Sequence, residues 1–225
     1  MNAFKKTFLS LAYFFSVIFA FAGSTFADSV KDTLEMRLEI APVFKLSLEM
    51  QVDPSATAYT GTDLVAPSQN SVVAGQNLNG VISLGHLLAR KQNGNLLPLV
   101  SEYKVLMKVH CETNHHRAYV LTQKLDMPLT GVSTHAQFPE TAFVCQAALD
   151  NATDLGSASV AIREETPVRP GALQTIYQSN ETGTSSVGST LNLWYWISDR
   201  QADKALPTQQ SDVYQSTLTI TMLEL

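Results

Sequence analysis

Two stretches carry most of the chemically capable side chains. The first holds His110, Cys111, His115 and His116. Imidazole and thiolate ligate zinc and copper, and a tight turn could gather them. Adjacent histidines on a strand point to opposite faces, however, and Cys111 has a better use in pairing with Cys145, so no metal site is expected. His86 and His135 stand alone. The second stretch is Leu191-Asn-Leu-Trp-Tyr-Trp-Ile197, where Trp194 and Trp196 share one strand face and Leu191, Leu193, Tyr195 and Ile197 the other. Paired indoles offer a large rigid platform to a sugar ring or a partner subunit. A central strand covered on both sides gives the same pattern, and buried tryptophans on the face opposite Tyr195 are the expectation.

Catalytic patterns do not emerge. Gly183-Thr-Ser-Ser-Val-Gly188 has the wrong spacing for a nucleophile elbow and no strand–turn–helix context. Glu164 and Glu165 could join a distant carboxylate in glycosidic chemistry, but such pairs occur in any protein. No phosphate-cradling glycine loop follows a strand. The chain therefore reads as a non-enzyme without a cofactor.

The elements that would position these residues are strands. At the C-terminus Tyr214, Leu218, Ile220 and Met222 share one parity, and Gln215, Thr217, Thr219 and Thr221 the other. Side chains alternate across a strand, so this stretch has an apolar face and a threonine face. Residues 33–40 alternate as cleanly, with Leu34, Met36, Leu38 and Ile40 set against Glu35, Arg37 and Glu39. Pro42 interrupts the ladder, and Phe44, Leu46, Leu48 and Met50 resume it.

Residues 53–70 read as loop, and 78–88 are apolar but weakened as a helix by Gly80 and Gly85. Gln92-Asn-Gly-Asn95 signals a turn. Residues 102–110 and 117–125 are the clearest strand pair, joined by a polar connection of hairpin length. Residues 126–140 read as loop, and 141–149 fit either a short helix or a strand. Strands at 157–163, 172–177 and 191–197 and the terminal strand complete the set, with 178–188 a polar surface loop. Nine or ten strands and no long helix predict an all-β sandwich or barrel.

Lys5 and Lys6 precede an uncharged run from Phe8 to Ala22, and Thr25-Phe-Ala27 offers the small residues of a signal-peptidase site. The apolar run is shorter than the roughly 20 residues a spanning helix needs. Residues 1–27 are thus expected to be a cleaved signal peptide, and 28–225 a single exported domain with no membrane span. Without the leader the chain has 13 basic and 20 acidic residues, a net charge of −7. Such a field repels nucleic acid and anionic headgroups. In an exported chain the lone pair Cys111 and Cys145 predicts one disulfide.

With leader, cysteine pair and strand order in place, the chain resembles the secreted bacterial pilin-type β-sandwiches, the spore-coat-U-like and alternative chaperone–usher pilus subunits in particular. The residues that carry the likeness are the alternating 34–40 and the ending Tyr214-Gln-Ser-Thr-Leu-Thr-Ile-Thr221. Two features depart from the pattern: Asp212-Val-Tyr214 stands where Gly-x-Tyr is usual, and the chain is longer than a typical subunit. The resemblance implies an Ig-like sandwich that lacks one strand, the gap being filled by a neighbour's N-terminal extension.

It also implies like subunits and a periplasmic chaperone as partners. Leu34, Met36, Leu38 and Ile40, with Leu218, Ile220 and Met222, are then the expected strand-pairing residues. The N-terminal strand satisfies its apolar face equally by folding back into its own subunit. A structural or adhesive role in the periplasm, at the cell surface or outside the cell follows, with a self-contained carbohydrate- or protein-binding module using Trp194 and Trp196 as the alternative.

Overall fold

A computed structural model describes residues 44–65, 71–113, 117–150, 159–179 and 189–225. The chain divides into two compact units, Met1–Ile40 and Ala41–Leu225, and every described residue lies in the second. The expected leader and the 33–40 strand, with Leu34, Met36, Leu38 and Ile40, lie outside the described residues.

Among the described residues every regular element is a strand. Numbered in chain order, a five-stranded antiparallel sheet runs β1 (Phe44–Thr57), β4 (Tyr103–Thr113), β11 (Ser189–Ile197), β7 (Phe143–Leu149) and β9 (Thr166–Pro167). A four-stranded sheet runs β13 (Leu218–Glu224), β5 (Tyr119–Leu125), β10 (Leu173–Gln178) and β8 (Ser159–Val160). Two small ribbons pair β2 (Leu88–Gln92) with β3 (Asn95–Val100), and β6 (Thr130–Gly131) with β12 (Tyr214–Gln215).

The described chain is therefore all-β, and nine of its strands form two sheets whose inward side chains make up the core. Alternation decides which side chains enter it. Val105, Met107, Val109 and Cys111 of β4 point inward, as do Leu191, Leu193, Tyr195 and Ile197 of β11. From the other sheet Tyr119, Leu121 and Leu125 meet them. Phe143 stacks on Tyr195 with ring centres 5.7 Å apart.

The strands at 102–110 and 117–125 exist, but not as a hairpin. β4 pairs with β1 and β11, whereas β5 pairs with β10 and β13. Their connection crosses from one sheet to the other. The Asn-Gly hairpin does form: Asn93 and Gly94 take φ of 49° and 85° between β2 and β3, the positive pair that a type I′ turn demands. The ambiguous 141–149 is strand β7, held between β11 and β9. β1 runs on through Pro54 to Thr57, past the expected loop start. The terminal strand is broken: Tyr214 and Gln215 pair with β6, and pairing with β5 begins only at Leu218.

The expected disulfide is absent, since Cys111 and Cys145 are both buried and not bonded to one another. Register explains why. Strand β11 lies between them, with Cys111 opposite Ser189 and Cys145 opposite Tyr195. The two cysteines are thus about 20 Å apart along the strand direction alone, at roughly 3.3 Å per residue. A disulfide needs Cα atoms within about 7 Å. Cys145 is instead part of a buried polar cluster. Gln123 Nε2 donates to Cys145 Sγ at 3.1 Å and to Gln174 Oε1 at 2.7 Å, and Tyr195 donates its hydroxyl to Gln123 Oε1 at 2.7 Å. Burial pushes the Cys145 thiol up to about 12, which leaves it an inert thiol at neutral pH. Burial, and then proximity to Cys145, raises the Tyr195 phenol well above its usual value.

Candidate functional site

The connections β4–β5, β7–β8 and β10–β11 each pass from one sheet to the other. They stack β4 over β5, β7 over β8 and β11 over β10, and so bring the end strands β1 and β13 to the same side of the sandwich. Leu46, Leu48, Met50 and Val52 point toward the interior from β1, in register with Cys111, Val109, Met107 and Val105. Leu218, Ile220 and Met222 do so from β13, in register with Leu125, Gln123 and Leu121.

Coverage along this side is uneven. Val52 is fully buried beneath Val72 and Leu78, with Ile82 and Leu84 packed alongside. Residues 75–78 also pair with the edge of β1: Val52 N–H donates to Gln76 O at 2.8 Å and Leu78 N–H to Met50 O at 3.2 Å. The chain then turns away at Asn79 and Gly80, both at positive φ, which glycine adopts without strain. A hollow of about 580 Å³, lined by Leu48, Met50, Asn77 and Asn79 among others, opens there. Beyond it Leu48 is 43% exposed. Leu46, Leu218 and Ile220 are only half-buried, while Met222 is buried.

The backbone follows the same division. Because Met50 and Val52 turn their polar groups outward to residues 75–78, strand alternation directs those of Leu46 and Leu48 to the same open edge. On β13, Asp126 N–H donates to Thr217 O and Leu225 N–H to Ala118 O, each at 2.9 Å. Those bonds assign the odd-numbered residues to the ladder with β5. Leu218, Ile220 and Met222 therefore turn their N–H and C=O groups to the open side. On both edges the residues with inward apolar side chains are also those with outward backbone groups. Among the described residues no strand pairs with β13 there, nor with Leu46 and Leu48 of β1.

Of the expected pairing residues, Leu218, Ile220 and Met222 thus lie with inward side chains on β13, the end strand of its sheet. Leu46 and Leu48, on the end strand β1, were visible in the sequence as alternation but not as an edge.

Trp194 and Trp196 lie on the outer face of the five-stranded sheet, opposite Tyr195, yet they do not present a pair of bare rings. Trp194 is half-buried and donates Nε1–H to Asp53 Oδ2 at 2.6 Å. Trp196 is 5% exposed, with Lys104 Nζ 3.9 Å from the centre of its ring. Burial of Asp53 acts to raise its pKa, but hydrogen bonds from Ser55 and Trp194 outweigh it and hold the carboxyl below its ordinary value. His110 lies on the same outer face, its Nδ1 3.0 Å from Thr190 Oγ1, while Cys111 points inward.

Searches against family models, curated proteins and solved structures match nothing to this chain.

Proposed function

We propose that this protein is an exported structural or adhesive subunit that assembles at the cell surface by strand pairing, in the manner of a pilin-type sandwich. The observation that supports it is the pair of end strands β1 and β13, whose outward backbone groups and half-buried apolar side chains no described strand covers at Leu46, Leu48 and 218–222. Residues 33–40 of a neighbouring copy are the occupant. Leu34, Met36, Leu38 and Ile40 recur at every second residue, the spacing of Leu218, Ile220 and Met222. Laid antiparallel or parallel to β13, they would extend its apolar face while Glu35, Arg37 and Glu39 faced water. Each buried aliphatic side chain contributes about 1.5–3 kcal/mol, and the added ladder covers an edge that otherwise invites aggregation. A periplasmic chaperone that lends its own strand before assembly fits the same edges.

The test is Leu38→Asp in the mature chain, read by light scattering on a sizing column and by thermal melting. The expected result is multimers for wild type and monomers for the variant, melting below the assembled protein because the donated strand no longer stabilises the receiving domain. A wild-type monomer whose Tm falls on substitution would show that the strand folds back into its own sandwich. No change in either readout would remove residues 33–40 from the proposal.

A further inference from the structure

The two sheets turn outer faces of opposite character to solvent. On the five-stranded sheet the outward positions of β1 and β4 carry Lys45, Glu49, Lys104, Lys108, His110 and Glu112. On the four-stranded sheet strand register sets out three ranks. Leu173, Lys124 and Thr219 form the first, Thr175, Thr122 and Thr221 the second, and Gln178, Val120 and Leu223 the third. Alternation places all nine on the outer face, because Leu121, Gln123 and Leu125 between them are buried in the interior. Lys124 alone among the nine is charged, and it lies in an end rank, 3.9 Å from Asp126 Oδ1.

The aliphatic side chains of this face stand in solvent. Leu173 is 66% exposed and Leu223 47%, and Leu225 beyond it is 61% exposed. Thr175 and Thr219 are exposed, while Thr122 is buried at the centre of the middle rank. On the outer face of the other sheet the large apolar side chains are covered instead. Leu106, Val144 and Trp196 are buried there and Trp194 is half-buried. The four-stranded sheet thus offers a surface that is aliphatic at both ends, threonine in the middle and depleted of charge. Depletion of charge is the compositional mark of the buried centre of a protein interface.

We propose that two copies of this chain pack here, sheet on sheet, about a two-fold axis that crosses the strands along the rank Thr175, Thr122 and Thr221. Charge decides both the occupant and the orientation. The chain carries a net charge of −5, so two copies repel each other unless they meet where charge is least. Of the two sheet faces, that is this one. An axis along β5 would set Lys124 against its own copy. An axis across the strands sets it against Val120 of the second copy, and leaves threonines facing threonines. Three strands about 4.8 Å apart and seven residues of about 3.4 Å give a footprint of roughly 340 Å² per copy. A stable complex takes roughly 800 Å² from each partner, so this dimer is weak and depends on concentration. The contact uses a face whereas strand pairing uses edges, so each reading can fail without the other.

The experiment is sedimentation equilibrium of the mature chain carrying Leu38→Asp, which takes strand donation out of the measurement. It is repeated with Thr175→Lys or Ala148→Lys added. The expected result is a monomer–dimer equilibrium with a Kd of about 0.1–1 mM, not weakened by about 0.5 M sodium chloride because no charge pair holds it. T175K sets two ammonium groups against each other across the axis and should raise Kd about tenfold or more. A148K adds the same charge at an exposed outer position of β7 and should dimerise as its parent does. Both positions are exposed, so all three chains should melt alike. A monomer at every concentration, a Kd that T175K leaves unchanged, or equal weakening by A148K would overturn the proposal. So would a dimer dispersed by salt, since charge rather than this face would then hold it.

Discussion

The two sides of the sandwich end their sheets in opposite ways. On one side the terminal strands are β9 and β8, of two residues each, and β9 contains Pro167, which has no N–H to offer. Short edge strands and edge prolines are standard protections against pairing with another chain. On the other side β1 runs for 14 residues and β13 for seven. No proline interrupts residues 45–49 or 218–224, and half-buried aliphatic side chains stand behind the open backbone. Among the described residues one fold thus carries a blunted side and an uncovered side, and the uncovered side is the one the proposed strand pairing would use.

The largest expected effect belongs to neither side. Gln123 ties together Cys145, Gln174 and Tyr195 across the core. Gln123→Ala would leave the buried Tyr195 hydroxyl without its acceptor and open a cavity, at about 3–5 kcal/mol. Urea unfolding should find the same loss in assembled protein and in the L38D monomer. A loss confined to assembled protein would mean that core and open side are not separate.

Prolines on β13 sharpen the comparison further. Thr221→Pro removes an N–H from the ladder with β5 and should cost the isolated domain about 2–3 kcal/mol. Ile220→Pro removes an N–H that faces the open side and should cost about 1 kcal/mol, yet it should abolish multimers. Equal destabilisation by the two would contradict the assignment of alternate residues to the two edges.

Acid should weaken the fold through Asp53. Its carboxyl is held below 3.8 in the folded chain, so its contribution is complete above the unfolded value and is lost as pH falls through the folded one. Asp212, which accepts from Ser133, Thr134 and Val213, is shifted in the same direction. Asp53→Asn should cost about 1–2 kcal/mol at neutral pH and flatten the decline below pH 3.8, as read by Tm against pH. The smallest expected effect is none: dithiothreitol should leave Tm unchanged on either side, and a drop of several degrees would restore a disulfide.

Much of the fold was legible because alternation is a local signal. Residues 44–50, 191–197 and the Asn93-Gly94 turn declare their conformation within a few positions. Partner choice is not local. Nothing in residues 102–125 tells a hairpin from a crossing between sheets, and that choice also decides that Cys111 and Cys145 lie far apart. Residues 141–149 admit a helix until β11 and β9 flank them. The uncovered stretch of β1 was written as Leu46 and Leu48, but that it lies at an open edge depends on where residues 75–80 leave that strand.

The most direct measurement of strand pairing is residue-resolved amide hydrogen exchange along β13, comparing assembled protein with the L38D monomer. Thr219, Thr221 and Leu223 donate to β5 and should be protected in both. Leu218, Ile220 and Met222 should exchange fast in the monomer and become protected in the assembly. Equal rates at those three amides in both states would contradict strand donation onto this edge.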